Sequence, residues 1–107
     1  MTIVTYVPVI EATAIPDGTM RAVDMDGRVI VVAHTDGGYF AFQPDCPHAG
    51  TKLALGSLEG KGVVCPNHNY VFDLETGKLV EPDVVCEDLT TYKIEERDGM
   101  LCLRLEF

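Results

Sequence analysis

The chain has 107 residues, 47% hydrophobic and 23% charged, the balance of one globular domain large enough to hide roughly two thirds of its unfolded surface. Seventeen acids against eight bases give a formal charge of -9, which repels nucleic-acid phosphates and anionic lipid headgroups and argues against either as a partner. The longest aliphatic run, Val29 to Ala33, is far too short to cross a bilayer, and MTIVTYVPVIEA carries no positive charge ahead of an apolar stretch, so the expectation is a cytoplasmic protein.

Val4 to Ile10, Thr19 to Met25, Arg28 to His34 and Tyr39 to Gln43 are short runs rich in valine, isoleucine, threonine and aromatics. They are separated by Pro16-Asp17-Gly18, Asp26-Gly27 and Asp36-Gly37-Gly38, and this pattern predicts strands joined by turns. Asp26-Gly27 is a hairpin signal, because aspartate and glycine tolerate the positive φ angles that a two-residue turn needs. Thr51 to Leu58 is the one candidate helical turn, weakened by its glycine and serine. Gly62 to Cys65, Tyr70 to Leu74 and Lys78 to Val80 predict three shorter strands, with Glu75-Thr76-Gly77 turning between the last two. Thr91 to Arg97 and Met100 to Phe107 flank Asp98-Gly99. In the final strand Leu101, Leu103, Leu105 and Phe107 alternate with Met100, Cys102, Arg104 and Glu106, a period of two that implies one buried face. Many short strands with frequent turns, and no internal repeat, predict an all-β sandwich or small barrel made of a single domain, 1–107.

Two of the predicted strands lead into CPHAG and CPNH. Cys46 and His48 form one pair, Cys65 and His68 a second, and sixteen residues lie between the pairs. Loops at the ends of strands can bring the four side chains together. Two thiolates and two imidazoles suit zinc or an iron-sulfur centre, whereas calcium and magnesium prefer oxygen. A structural zinc finger usually takes its cysteines from one half and its histidines from a helix in the other. Here each half contributes one of each, the order that a two-iron cluster uses when one iron takes both cysteines and the other both histidines. Cys86 and Cys102 have no histidine at ligand spacing and read as structural thiols. His34 reads as a surface residue, not a fifth ligand.

With CPHAG, then CPNH sixteen residues later running on into FDLETG, nearly the whole chain resembles the Rieske ferredoxins that serve multicomponent aromatic-ring-hydroxylating oxygenases. The resemblance implies an antiparallel Rieske β-sandwich with a cluster-binding subdomain inserted at about residues 44–70. It implies one [2Fe-2S] cluster per chain, with Cys46 and Cys65 on an inner iron and His48 and His68 on an outer one near the surface. Respiratory Rieske proteins add a bracing disulfide and hydroxyls directed at the cluster. The matching positions here are Thr51, Asn67, Tyr70 and Phe72, which implies the oxygenase type, with a potential low in the range of about -150 to +300 mV. Pro82 would lie on a third, shielding loop.

The function that follows is a one-electron shuttle from a flavin-dependent reductase to a terminal oxygenase, a carrier and not itself an enzyme, expected to be a monomer. The small subunit of assimilatory nitrite reductase and a zinc-stabilised interaction module are the alternatives. From Asp73 onward ten acids face four bases, and Asp45, Glu81, Asp83, Glu87 and Asp88 are the expected acidic rim around an apolar centre of Ala49, Gly50 and Pro66, where a basic partner would dock.

Overall fold

The computed structural model describes residues 2–106. Its strands, in chain order, are β1 (Val4–Glu11), β2 (Thr19–Met25), β3 (Arg28–Thr35), β4 (Gly38–Phe42), β5 (Ser57–Glu59), β6 (Gly62–Val64), β7 (Val71–Asp73), β8 (Leu79–Glu81), β9 (Thr91–Tyr92), β10 (Ile94–Arg97) and β11 (Met100–Glu106). They form three antiparallel sheets with orders β1-β11-β10, β2-β3-β4-β9 and β5-β6-β7-β8. No helix among the described residues is long and apolar enough to cross a membrane.

The Asp-Gly turns fold as the sequence predicts. Asp26 and Gly27 have φ of 52° and 93°, and Asp98 and Gly99 of 52° and 82°, so each closes a two-residue hairpin, Met25 opposite Arg28 and Arg97 opposite Met100.

The first two sheets enclose one core, built from Ala12, Ile15, Ile30, Val32, Ala41, Leu101 and Leu103. The third sheet and its loops close a second over Val31, Ala33, Phe42, Leu53, Val63, Phe72, Leu74 and Leu89. β3 stands between the two cores. Successive side chains of a strand point to opposite faces, so Ile30 and Val32 enter one core and Val31 and Ala33 the other. A strand covered on both sides has no polar face to alternate with, which accounts for the unbroken aliphatic run. The Thr35 hydroxyl donates to the Gly60 carbonyl (2.8 Å) and ties the third sheet to the end of β3.

Three expectations need correction. Thr91 to Arg97 is not one strand: β9 pairs with β4 and β10 with β11, and the chain changes sheets at exposed Lys93. Thr51 to Leu58 divides at Gly56 into a 3-10 turn, Leu53–Leu55, and β5. In β11 Cys102 is buried as well as Leu101 and Leu103, so the alternation there does not leave one face open; Phe107 lies outside the described residues. The third sheet runs past residue 70 to Glu81.

Candidate metal centre

The first loop leaves β4 and folds back on itself. The Cys46 N–H donates to the Thr51 carbonyl (2.8 Å), the Gly50 N–H donates to the Cys46 carbonyl (2.8 Å), and a single bridge pairs Asp45 with Lys52. The second loop is the closed end of the β6–β7 hairpin, where the Cys65 N–H donates to the Tyr70 carbonyl (2.7 Å). His68 and Asn69 both take positive φ, 68° and 55°, a conformation that costs most side chains energy but is least unfavourable for asparagine.

The four nominated side chains come to this one end of the molecule as two pairs. Cys46 and Cys65 are 2% and 0% exposed and belong to the core under the third sheet. His48 and His68 are exposed, their ring centroids 5.7 Å apart and nearly edge to face at 73°. Burial pushes the Cys65 thiol above its ordinary value, the backbone amide of Asn67 opposes this, and the adjacent Cys46 thiol raises it further. Among the described residues no three histidines, cysteines, aspartates or glutamates are placed to hold one metal ion together. Two thiols inside and two imidazoles outside fit a centre that asks two protein ligands of each of two irons.

Two residues of this end were not assigned these roles by the sequence. Tyr70 stacks flat against the His48 ring, centroids 3.8 Å apart and planes 12° from parallel, and so fixes the plane of that imidazole. An aromatic two residues beyond the second histidine was the available signal. Gln43 is the other. Its amide donates to the Asp45 carbonyl (2.6 Å), its carbonyl accepts from the Thr90 N–H (2.7 Å), and its own N–H donates to the Thr90 carbonyl (2.9 Å). Nothing local marks it, since Thr90 lies 47 residues away.

A third loop, 82–90, runs beside the first. Half-buried Cys86 packs on the core that contains Cys46, and its thiol is raised by burial first and then by the charges of Cys46, Glu87 and Asp88. The Leu89 N–H donates to the Gly77 carbonyl (2.6 Å), and the Gly77 N–H to the Asp73 carbonyl (2.8 Å). A Cβ on Gly77 would run into the Leu89 carbonyl, so only glycine lets the chains approach this closely.

Four further expectations meet the structure here. All four cysteines are free, Cys86 half-buried and Cys102 buried. His34 is half-buried, its side chain 22% exposed; it stacks on Tyr39 at 4.2 Å and its Nδ1 lies 2.9 Å from the Ile15 carbonyl. Asp45 is not a free member of the acidic rim, because Lys52 Nζ lies 3.2 Å from its Oδ1. Glu81, Asp83, Glu87 and Asp88 are exposed.

A family model described as the Rieske [2Fe-2S] domain matches residues 5–93. The ferredoxin component of the naphthalene 1,2-dioxygenase/salicylate 5-hydroxylase systems of Ralstonia sp is 31% identical over 93 residues, covering 86% of this chain and 88% of that protein. A Sphingomonas yanoikuyae B1 ferredoxin has the same fold, with a TM-score of 0.83 at 24% identity over 94% of this chain and 99% of its own. A chain in the solved complex of reduced oxygenase and oxidized ferredoxin in carbazole 1,9a-dioxygenase superposes with a TM-score of 0.79 at 26% identity, covering 92% of this chain and 91% of that one.

Proposed function

The chain belongs to the Rieske [2Fe-2S] domain family, and from that premise we propose that it is the ferredoxin component of a ring-hydroxylating oxygenase system. It carries single electrons from a flavin-dependent reductase to a terminal oxygenase, as a cytoplasmic monomer. The relatives matched over most of their own length that are named as ferredoxin components of dioxygenase systems support the carrier role. Cys46 and Cys65 would hold the inner iron and His48 and His68 the outer one, in a cluster-binding unit that starts near residue 44.

One observation carries the reading: buried thiols stand behind exposed imidazoles at a single tip. When bound, the cluster gains and loses one electron without forming or breaking a covalent bond to substrate. The chain's own residues do the rest. Neutral imidazoles in place of two thiolates lower the negative charge of the centre and favour uptake of the electron. Val31, Phe42, Leu53, Val63 and Phe72 keep water from the thiol side. Tyr70 stacks on the exposed His48 ring and fixes its plane.

The test is the visible and electron paramagnetic resonance spectrum of the purified protein, oxidised and dithionite-reduced, for the wild type and for His48→Ala and His68→Ala. The wild type is expected to give a Rieske signal upon reduction, and each variant to lose it. A colourless, silent wild type would sink the carrier reading, and an unchanged signal in either variant would remove that histidine from the ligand set.

A further inference from the structure

The docking surface does not stop at the histidine tip. We propose that it continues along residues 80–85, where Val84 and Val85 form an apolar anchor within acidic surroundings, and that it fits a redox protein presenting an apolar socket ringed by lysine or arginine. This inference rests on the electron-carrier reading above.

Val80, Val84 and Val85 are 56%, 50% and 103% exposed. Exposed apolar residues scattered singly need no explanation, but a contiguous group rimmed by polar residues marks an interaction site. These three fall within six positions of one another. The loop that bears them is held at its far end: Cys86 turns inward onto the core around Cys46, and Leu89 is buried and hydrogen-bonded to Gly77. The valines are therefore displayed outward from an anchored frame, next to the chain that carries Cys46 and His48.

Charge selects the occupant. Glu81, Asp83, Glu87 and Asp88 surround the valines, no base occurs between Leu79 and Tyr92, and none of the four acids has an ion-pair partner among the described residues. Beside Val80 a groove of about 260 Å³ is walled by Glu59, Asp73 and Glu81, and its single base, Lys61, is turned to Glu75 at 3.1 Å. A basic side chain from the partner would enter that groove while its apolar patch covers Val84 and Val85. A second copy of this chain would set acid against acid, so the occupant is a basic partner.

Mitochondrial cytochrome c, a basic redox protein whose apolar haem edge is ringed by lysines, is the probe. In stopped flow, the dithionite-reduced holo-protein passes one electron to ferric haem; the cluster is oxidised and the haem reduced to ferrous. The double variant Val84→Ser/Val85→Ser is expected to keep its spectrum and potential and to react about tenfold more slowly at both low and high ionic strength. Val84→Leu/Val85→Leu should retain the wild-type rate. Asp83→Asn/Glu87→Gln should slow the reaction at low ionic strength only and flatten its salt dependence. A serine variant that bears the Rieske signal and transfers electrons at the wild-type rate overturns the docking inference and leaves the carrier reading intact. A wild type without the signal removes both.

Discussion

In both loops the cysteine N–H donates to the carbonyl five residues on, Cys46 to Thr51 and Cys65 to Tyr70, and the residue four past the cysteine is left-handed, Gly50 in one and Asn69 in the other. The difference lies in what holds the base. The second loop continues a backbone ladder, with Val64 opposite Val71 in the β6–β7 hairpin. The first has only one bridge beneath it, and Gln43 with the Asp45–Lys52 pair takes the place of a ladder. A loop built on backbone hydrogen bonds tolerates most side-chain changes, while one built on side-chain clamps depends on particular residues.

The largest effect should come from the point where the loops meet. A Cβ on Gly56 would collide with the Val64 carbonyl and sit 3.1 Å from Pro66 Cδ, so Gly56→Ala must push the exit of the first loop away from the base of the second. Overpacking against backbone costs about 3 kcal/mol, the upper end of the usual range. Urea denaturation of Gly56→Ala should show that loss together with lower cluster occupancy; a wild-type midpoint and full occupancy would mean the two loops are not in register through this residue.

Gln43→Ala separates the loops instead. It leaves the Asp45 carbonyl and Thr90 N–H without their partners, at a cost of about 1–3 kcal/mol. Amide exchange should accelerate at Cys46 and Gly50 and stay unchanged at Cys65. Gln43→Glu keeps the acceptor for Thr90 and should fall between. Equal acceleration in both loops would erase the distinction between clamp and ladder.

The smallest effect tests the shared left-handed position. Gly50→Ala forces a Cβ into φ of 69° at about 1 kcal/mol, whereas Asn69→Gly relieves a residue already near its tolerance and should move stability by only a few tenths of a kcal/mol. Chemical denaturation of the pair gives the comparison directly, and a Gly50→Ala loss no larger than the Asn69→Gly change would show that the loops differ in backbone demand as well.

What could be read from the sequence was written within a few residues. The Asp26-Gly27 and Asp98-Gly99 turns and the bounds of β2 are local signals, and each appears where expected. That the cysteines would hold an inner iron and the histidines an outer one came from the family resemblance; in the structure the two thiols are buried and the two imidazoles exposed. Features that join distant residues were not legible. Lys93 looks like any strand residue, and only the competition between β4 and β11 for its neighbours breaks the strand there. Gln43 and Thr90, or Gly77 and Leu89, meet through the fold, and the single-residue turn signals that set local conformation carry no information about such meetings. Val84 and Val85 look like strand residues in sequence, yet the loop that contains them turns Cys86 inward and leaves them in water.

β3 is common property of two cores: Ile30 and Val32 face one and Val31 and Ala33 the other. Neither core keeps its packing once this strand departs. Thermal damage that begins at the exposed tip therefore cannot remain a local fraying of the third sheet once it reaches Val31. It spreads through the strand to the opposite sandwich, so loss of packing on one side is felt on the other.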